Sequence, residues 1–325
     1  MLARLLPDRF ILWLLGAVGL ALLLPVSGSA AGIVDAATLA AIFALFFLHG
    51  VRLPREALVA GITDWRLHVA ILALTFAVFP AAGLGLSLAL PGLLAPELWT
   101  GLLFLCALPS TVQSSIAYTS IAHGNVAGAV AAAAFSNLIG VFLTPMLAAL
   151  MLEAQGAAVS LAGIGKIFAL LFLPFLLGHA LRPLLVRHVQ DRPRLTTLVD
   201  KGTILLAVYG AFSAATVEGI WNSLPPSELA LLAALLLVLL ALILLAAWAV
   251  GGLGGFARPS RAAILFCGSV KSLASGAPMA RILFPGAAGA AVLLPVMIFH
   301  TLQLIVCAWI AGAMGRDAPE NDRRP

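Results

Sequence analysis

Long stretches of apolar residues follow one another along this chain, separated by short groups of charged residues, proline and glycine. About 18 to 25 consecutive apolar residues cross a hydrocarbon core of roughly 30 Å as a helix. Ten such runs occur, at 9–25, 33–51, 67–90, 98–122, 126–152, 161–182, 201–219, 228–250, 261–283 and 287–314. Asp35, near the start of the second, makes that run the least clean. A transmembrane β-barrel would show alternating segments of about ten residues instead. The pattern predicts an all-α membrane protein with ten transmembrane helices in a lipid bilayer.

Composition strengthens this reading. Of the 325 residues, 62% are hydrophobic and 10% charged, against roughly 25% charged in a soluble domain; mean hydropathy is +1.12. A net charge of +5 raises the question of a nucleic-acid partner, but the basic residues form no patch interleaved with aromatics. They follow the membrane instead. With ten spans, 15 of the 18 Lys and Arg fall on one side: Arg4 and Arg9, the connections 52–66, 182–201 and 258–261, and the tail 315–325. Lys166 and Arg281 fall on the other side, and Lys271 on neither. Excess Lys and Arg mark cytoplasmic loops, which puts both termini in the cytoplasm. Residues 1–32 also have the make-up of a signal peptide, an apolar run followed by SGSA. Removing them would leave nine spans and destroy the symmetry described next.

Cys106, Cys267 and Cys307 lie inside predicted spans without the CxxC or Cys/His spacing of a metal site, so no metal, cofactor or disulfide is implied. Ten spans divide into two sets of five, 9–152 and 161–314. Because five is odd, a duplicated five-helix unit inserts with opposite topology in its second copy. The fourth run reads LFLCALPSTVQSS and the ninth AILFCGSVKSLASG. Setting Cys106 against Cys267 places Ser110 and Thr111 against Lys271 and Ser272, and Ser114 against Ser275. Pro109 strains the preceding turn, while Gly268, Gly276 and the clustered serines favour an unwound stretch. Serines bonding back to their own helix and a simple proline kink would explain one such segment. Two in matching places point to paired broken helices with a binding site near the bilayer midplane.

Lys271 lies about ten residues from either end of its run, roughly 15 Å from water at 1.5 Å per residue, too far for its side chain to reach an interface. A central lysine costs on the order of 2.5–3.5 kcal/mol on insertion scales and usually marks a substrate or ion pathway. No acidic residue lies deep in any of the ten runs. Lys271 then pairs with an anionic substrate, replaces a metal cation among hydroxyls and backbone carbonyls, or gains and loses a proton.

Together with FFLHGVRL (46–53), FLTP (142–145), LPFLLGHALRP (173–183), GSVKSLASGAPMA (268–280) and PVMIFHTLQLIVCAW (295–309), these segments resemble the bile acid:sodium symporter family (solute carrier family 10). They are closer to its bacterial bile-acid-symporter-like branch, which includes the seventh human member, and the ninth-run motif is the most specific. The resemblance covers nearly all of 9–314. It implies a ten-helix fold with a panel domain (spans 1, 2, 6 and 7), a core domain (spans 3, 4, 5, 8, 9 and 10) and broken, crossing fourth and ninth helices. It further implies alternating-access transport of a small organic anion across the cell inner membrane. In sodium-coupled relatives a serine–asparagine pair in the fourth span and a glutamate and glutamine in the ninth hold the cations. Here the serine matches Ser114, the asparagine position is Ser115, and the other two positions are Ser269 and Leu273.

Losing a carboxylate and gaining Lys271 reverses the local charge and repels Na⁺. Lys271 therefore reads as a stand-in for the ion, either as a fixed charge or as a proton carrier, with Gln113, Ser114, Ser115, Ser269, Ser272 and Ser275 as neutral ligands around it. Asn137, His300 and Gln303 are further polar groups at suitable depth, whereas His49 and His179 lie nearer helix ends. The expected partners are an organic anion and, as coupling ion, a proton or sodium; a conventional sodium:organic anion symporter is the alternative. From other classes come an intramembrane Ser–Lys hydrolase, with Ser269 or Ser114 activated by a neutral lysine, and a non-transporting regulatory membrane protein. The first leaves the paired helix breaks unexplained, and no pore-lining ring or repeated filter sequence supports a channel-like form of the second. No HExxH or Walker motif is present, and GGLGGFA (251–257) lacks the acidic residue of a dinucleotide site.

Overall fold

The computed structural model describes residues 9–52, 64–153 and 168–316. Arg4, Arg55, Lys166, the first part of the sixth run and the tail from 317 to 325 lie outside the described residues. In chain order the helices are α1 (Arg9–Leu23), α2 (Gly28–Arg52), α3 (Trp65–Ala73), α4 (Phe79–Ala89), α5 (Pro96–Ala107), α6 (Gln113–Ile121), α7 (Val126–Glu153), α8 (Leu173–Ala180), α9 (Arg182–Gln190), α10 (Pro193–Glu218), α11 (Pro226–Leu253), α12 (Arg258–Ser269), α13 (Leu273–Leu283) and α14 (Ala288–Arg316). Wider π-helical turns, Leu74–Val78 and Phe168–Phe172, lead into α4 and α8.

Among the described residues, seven helical stretches are long and apolar enough to cross a membrane: Gly28–Arg52, Trp65–Ala89, Val126–Glu153, Pro193–Val217, Pro226–Leu253, Arg258–Leu283 and Ala288–Arg316. The remaining three apolar runs take other forms. The first is the 15-residue helix α1. The fourth is interrupted between α5 and α6. In the sixth, the chain bends by 92° between Ala169–Ala180 and Arg182–Gln190. Pro183 stands at the start of α9, where its missing N–H is tolerated, and α9 buries none of its residues.

Each π-helical turn ends two residues before a proline, Pro80 and Pro174. A proline ring crowds the carbonyl four residues back, and a locally widened turn relieves that crowding. The first turn leaves one acceptor over. The Phe79 N–H donates to the Leu74 carbonyl; the next donor in that register, for the Thr75 carbonyl, would be the N–H that Pro80 does not have.

The chain forms two compact units. One comprises Met1–Leu53, Ser160–Leu229 and Gly276–Leu294, the other Pro54–Val159, Ala230–Ser275 and Pro295–Pro325. In the first unit α2 and α8 approach backbone to backbone. A Cβ on Gly50 would stand 2.0 Å from the Phe175 carbonyl oxygen, and one on Gly178 would stand 2.0 Å from that of Phe47. The same F-x-x-G spacing thus serves both helices, a small-residue contact suited to packing in lipid. Arg52 binds Asp200 through both nitrogens, at 3.0 and 2.7 Å, and Arg281 pairs with Asp35 beside Gly210. In the second unit the half-helices that lead into the interruptions are the most enclosed: α5 is buried from Leu98 to Ala107 apart from Thr100, and α12 from Ala262 to Ser269.

Candidate functional site

Two unwound stretches, 108–112 between α5 and α6 and 270–272 between α12 and α13, meet in the second unit. Unwound backbone inside a membrane needs partners for its N–H and C=O groups, and neighbouring helices supply them. From α7, Thr144 Oγ1 donates to the Ala107 carbonyl at 2.8 Å, Ser136 Oγ accepts from the Ser110 N–H at 3.0 Å, and Asn137 Nδ2 donates to the Ser110 carbonyl at 2.9 Å. Gly140 lies on the same helix where a Cβ would meet Pro109 at 2.7 Å, so its lack of a side chain admits the break. The Ser272 N–H donates to the Pro109 carbonyl at 2.9 Å and links the two stretches directly. From α14, Gln303 takes both backbone groups of Lys271: Oε1 accepts from its N–H at 2.7 Å and Nε2 donates to its carbonyl at 2.9 Å.

The Lys271 side chain is 1% exposed. Its Nζ donates to the carbonyls of Thr75 at 2.7 Å, Cys106 at 2.8 Å and Leu108 at 2.7 Å. The Thr75 carbonyl is the one released by the π-turn before Pro80. Those of Cys106 and Leu108 lie at the C-terminal end of α5, where the last carbonyls lack helical partners and the helix dipole favours a cation. The Phe79 ring centroid lies 4.1 Å from Nζ and that of Phe76 5.9 Å away, as in cation–π contacts. An ammonium group has three N–H donors, and three carbonyls receive them. Three acceptors match the three donors of an ammonium group, and a neutral amine would set its lone pair against one of them.

The hydroxyls expected around Lys271 bond elsewhere. Ser114 pairs with Thr111, Ser115 donates to the Thr111 and Val112 carbonyls, and Ser269 donates to the Leu265 carbonyl. Ser272 bonds Ser275, which donates to Asn137 Oδ1 at 3.0 Å. Gln113 is exposed at the start of α6. The expectation of a hydroxyl shell around Nζ is therefore corrected to a shell of main-chain oxygens. The physical reason is that a serine on a helix reaches the carbonyl one turn back, whereas the Thr75, Cys106 and Leu108 carbonyls lie at helix breaks and accept from Nζ. Asn137 joins the first stretch to the start of α13 through Ser110 and Ser275, Gln303 holds the Lys271 backbone, and His300 bonds Gln303. Thr75, Phe76, Phe79, Ser136 and Thr144 were not among the expected site residues; Pro80, a proline in mid-run, is the one sequence feature that could have marked the first three. Among the described residues no group of three or more His, Cys, Asp or Glu could hold a metal ion.

A helical membrane protein in which two interrupted helices meet, with the carbonyl end of a half-helix on a cation, has the site architecture of a secondary transporter. The chain belongs to the SBF-like CPA transporter family (DUF4137), which it matches over residues 8–316. It is 47% identical over 314 residues to "Uncharacterized protein PA2026" of Pseudomonas aeruginosa, covering 96% of this chain and 94% of that one. It is 44% identical over 304 residues to "Putative symporter YfeH" of Escherichia coli, covering 94% and 92%. Mouse "Sodium/bile acid cotransporter 7" is 26% identical over 271 residues, covering 82% and 79%.

Proposed function

We propose that this protein carries a small organic anion across the cell inner membrane by alternating access, and that the Lys271 ammonium stands permanently where sodium-coupled relatives hold a cation. The observation that carries this reading is the donation of all three Nζ hydrogens to main-chain carbonyls. Carbonyls at helix breaks and half-helix C-termini are the groups with which transporters hold Na⁺, and an ammonium group meets the same demand without leaving. The printed names of the relatives, a putative symporter and a sodium/bile acid cotransporter, support transport of an anion. Buried Ser115, Ser269, Ser272 and Ser275 support the breaks. The substrate site lies at their partly exposed edge, with Gln113, Ser114, Asn137 and His300 as its polar groups. Since Nζ spends its hydrogens on carbonyls, it is not poised to deprotonate a serine, which favours transport over hydrolysis.

The proposed topology is ten spans in two inverted sets of five, 9–152 and 161–314, with both termini in the cytoplasm. The fifteen basic residues on one side support it. So do the pairs they make at helix ends assigned to that side: Arg52 with Asp200, and Arg258 with the Met314 carbonyl at 2.6 Å. Reconstitution into liposomes tests the function. Uptake of a radiolabelled bile acid, measured with an inward sodium gradient, with a proton gradient and with neither, is expected to saturate and to ignore sodium. Uptake by wild type that requires sodium would make it a conventional sodium symporter.

A further inference from the structure

Gln303 is fully buried, and Lys271 fixes which way its amide points. The Lys271 N–H needs an acceptor, so Oε1 lies there; the Lys271 carbonyl needs a donor, so Nε2 lies there. The amide nitrogen has one N–H left, and it points to His300 Nδ1 at 2.9 Å, three residues earlier on α14. That fixes the imidazole in turn. Nδ1 accepts, so the ring is neutral and carries its proton on Nε2. A second proton would make Nδ1 a donor facing a donor. Gln303 can then serve His300 only by turning its amide over, which sets N–H against the Lys271 N–H and oxygen against the Lys271 carbonyl in a buried stretch. With the His300 ring held in this position, the clamp on Lys271 and a doubly protonated His300 exclude each other.

We propose that His300 is a proton-sensing positioning residue: its neutral ring locks the 270–272 stretch around Lys271, and its protonation unlocks that stretch. The inference rests on the reading of Lys271 as a fixed charge, because an ammonium on three carbonyls leaves the titration to another group, and histidine is the side chain whose charge changes near neutral pH. His300 is partly exposed while Gln303 and Lys271 are buried, so of the three His300 is the residue that can exchange a proton with water. The lock is present at high pH and is lost as pH falls through the titration of His300. Among the described residues, Lys271 is a charged group that faces this pair. Titratable neighbours on the packed elements are Tyr118 of α6, whose phenol donates to the Leu304 carbonyl at 3.1 Å, Cys106 of α5, Cys267 of α12 and Cys307 of α14 itself. On α4, Phe79 meets Phe299 edge-on at 5.9 Å. The carboxylates described in this unit stand at element ends: Asp64 before α3, Glu97 in the first turn of α5 and Glu153 at the end of α7.

Hydrogen exchange of the detergent-purified full chain, read by mass spectrometry on peptides covering 268–275, tests this in sodium chloride and in choline chloride. For wild type, once the chemical exchange rate is divided out, these amides should exchange about tenfold faster at about pH 5.5 than at about pH 8.5, the loss expected from freeing roughly two hydrogen bonds. His300→Asn, whose amide oxygen accepts from Gln303 at every pH, should show no such step. A step that survives in His300→Asn, or no step in wild type, overturns the role of His300. Protection of wild type by sodium relative to choline overturns the reading of Lys271 instead, whatever the pH profile. If His300→Asn does not fold, exchange at the imidazole C2–H of wild type decides: a His300 ring that titrates over this range agrees with the proposal, and one that stays neutral overturns it.

Discussion

Lys271 has three N–H donors and meets three carbonyl oxygens, so substitutions at this position differ by donor count and shape as much as by charge. Methionine keeps the length and the apolar stem but leaves the Thr75, Cys106 and Leu108 carbonyls unpaired. Leaving a buried acceptor unsatisfied costs about 1–3 kcal/mol, and with three of them Lys271→Met is expected to lower the thermal unfolding midpoint in detergent by roughly 5–15 °C. Lys271→Arg should fall in the same direction, because a planar fork of five donors does not fit three converging oxygens. An arginine variant as stable as wild type would mean that charge alone matters. The depth of Lys271 was legible in the sequence because an ammonium group in mid-run stands out against Ala, Leu and Val. Its partners were not, since every residue owns a carbonyl and only the fold decides which are left without a donor. Serine hydroxyls looked like ligands for the same reason; Ser115 and Ser269 instead spend theirs on the carbonyls of Thr111 and Leu265, one turn back.

Helices are placed by what interrupts them and by what lets them approach. Pro109 and the Gly268–Gly276 segment announced two interruptions, and the structure has them at 108–112 and 270–272. The bend between α8 and α9 was not legible as such, because Leu181, Arg182 and Pro183 read equally well as the end of a span. Nor was the contact between α2 and α8, although FFLHG and LPFLLGH both carry its F-x-x-G spacing; a glycine's role there depends on which backbone comes to face it. With carbonyl oxygens 2.0 Å from the added Cβ, Gly50→Ala and Gly178→Ala each force the helices apart, and overpacking of this kind costs about 1–3 kcal/mol. Both variants should unfold at lower temperature than wild type, while Gly85→Ala, with nothing within 4 Å, should match or slightly exceed it. Equal melting of all three would contradict the close approach of α2 and α8.

At the scale of the whole molecule, the grouping of the chain into Met1–Leu53, Ser160–Leu229 and Gly276–Leu294 on one hand and the remaining segments on the other follows no simple order along the sequence. Apolar run length and loop charge carry no information on which helices gather together; only the family resemblance implied a grouping of spans 1, 2, 6 and 7 apart from the others. Loop charge does carry orientation. Alkaline phosphatase fused after Pro325 is expected to be inactive and a fluorescent protein fused there to fluoresce, both signs of a cytoplasmic tail; active phosphatase would contradict the topology. The central claim, that an ammonium group occupies a cation's place, is tested most directly by thermal unfolding of wild type and Lys271→Ala in sodium chloride against choline chloride. A bound ion stabilises by mass action. Wild type, with its carbonyls already occupied, should melt at the same temperature in both salts, and Lys271→Ala should melt lower in choline and regain part of the loss in sodium. Sodium-dependent stabilisation of wild type would contradict the account.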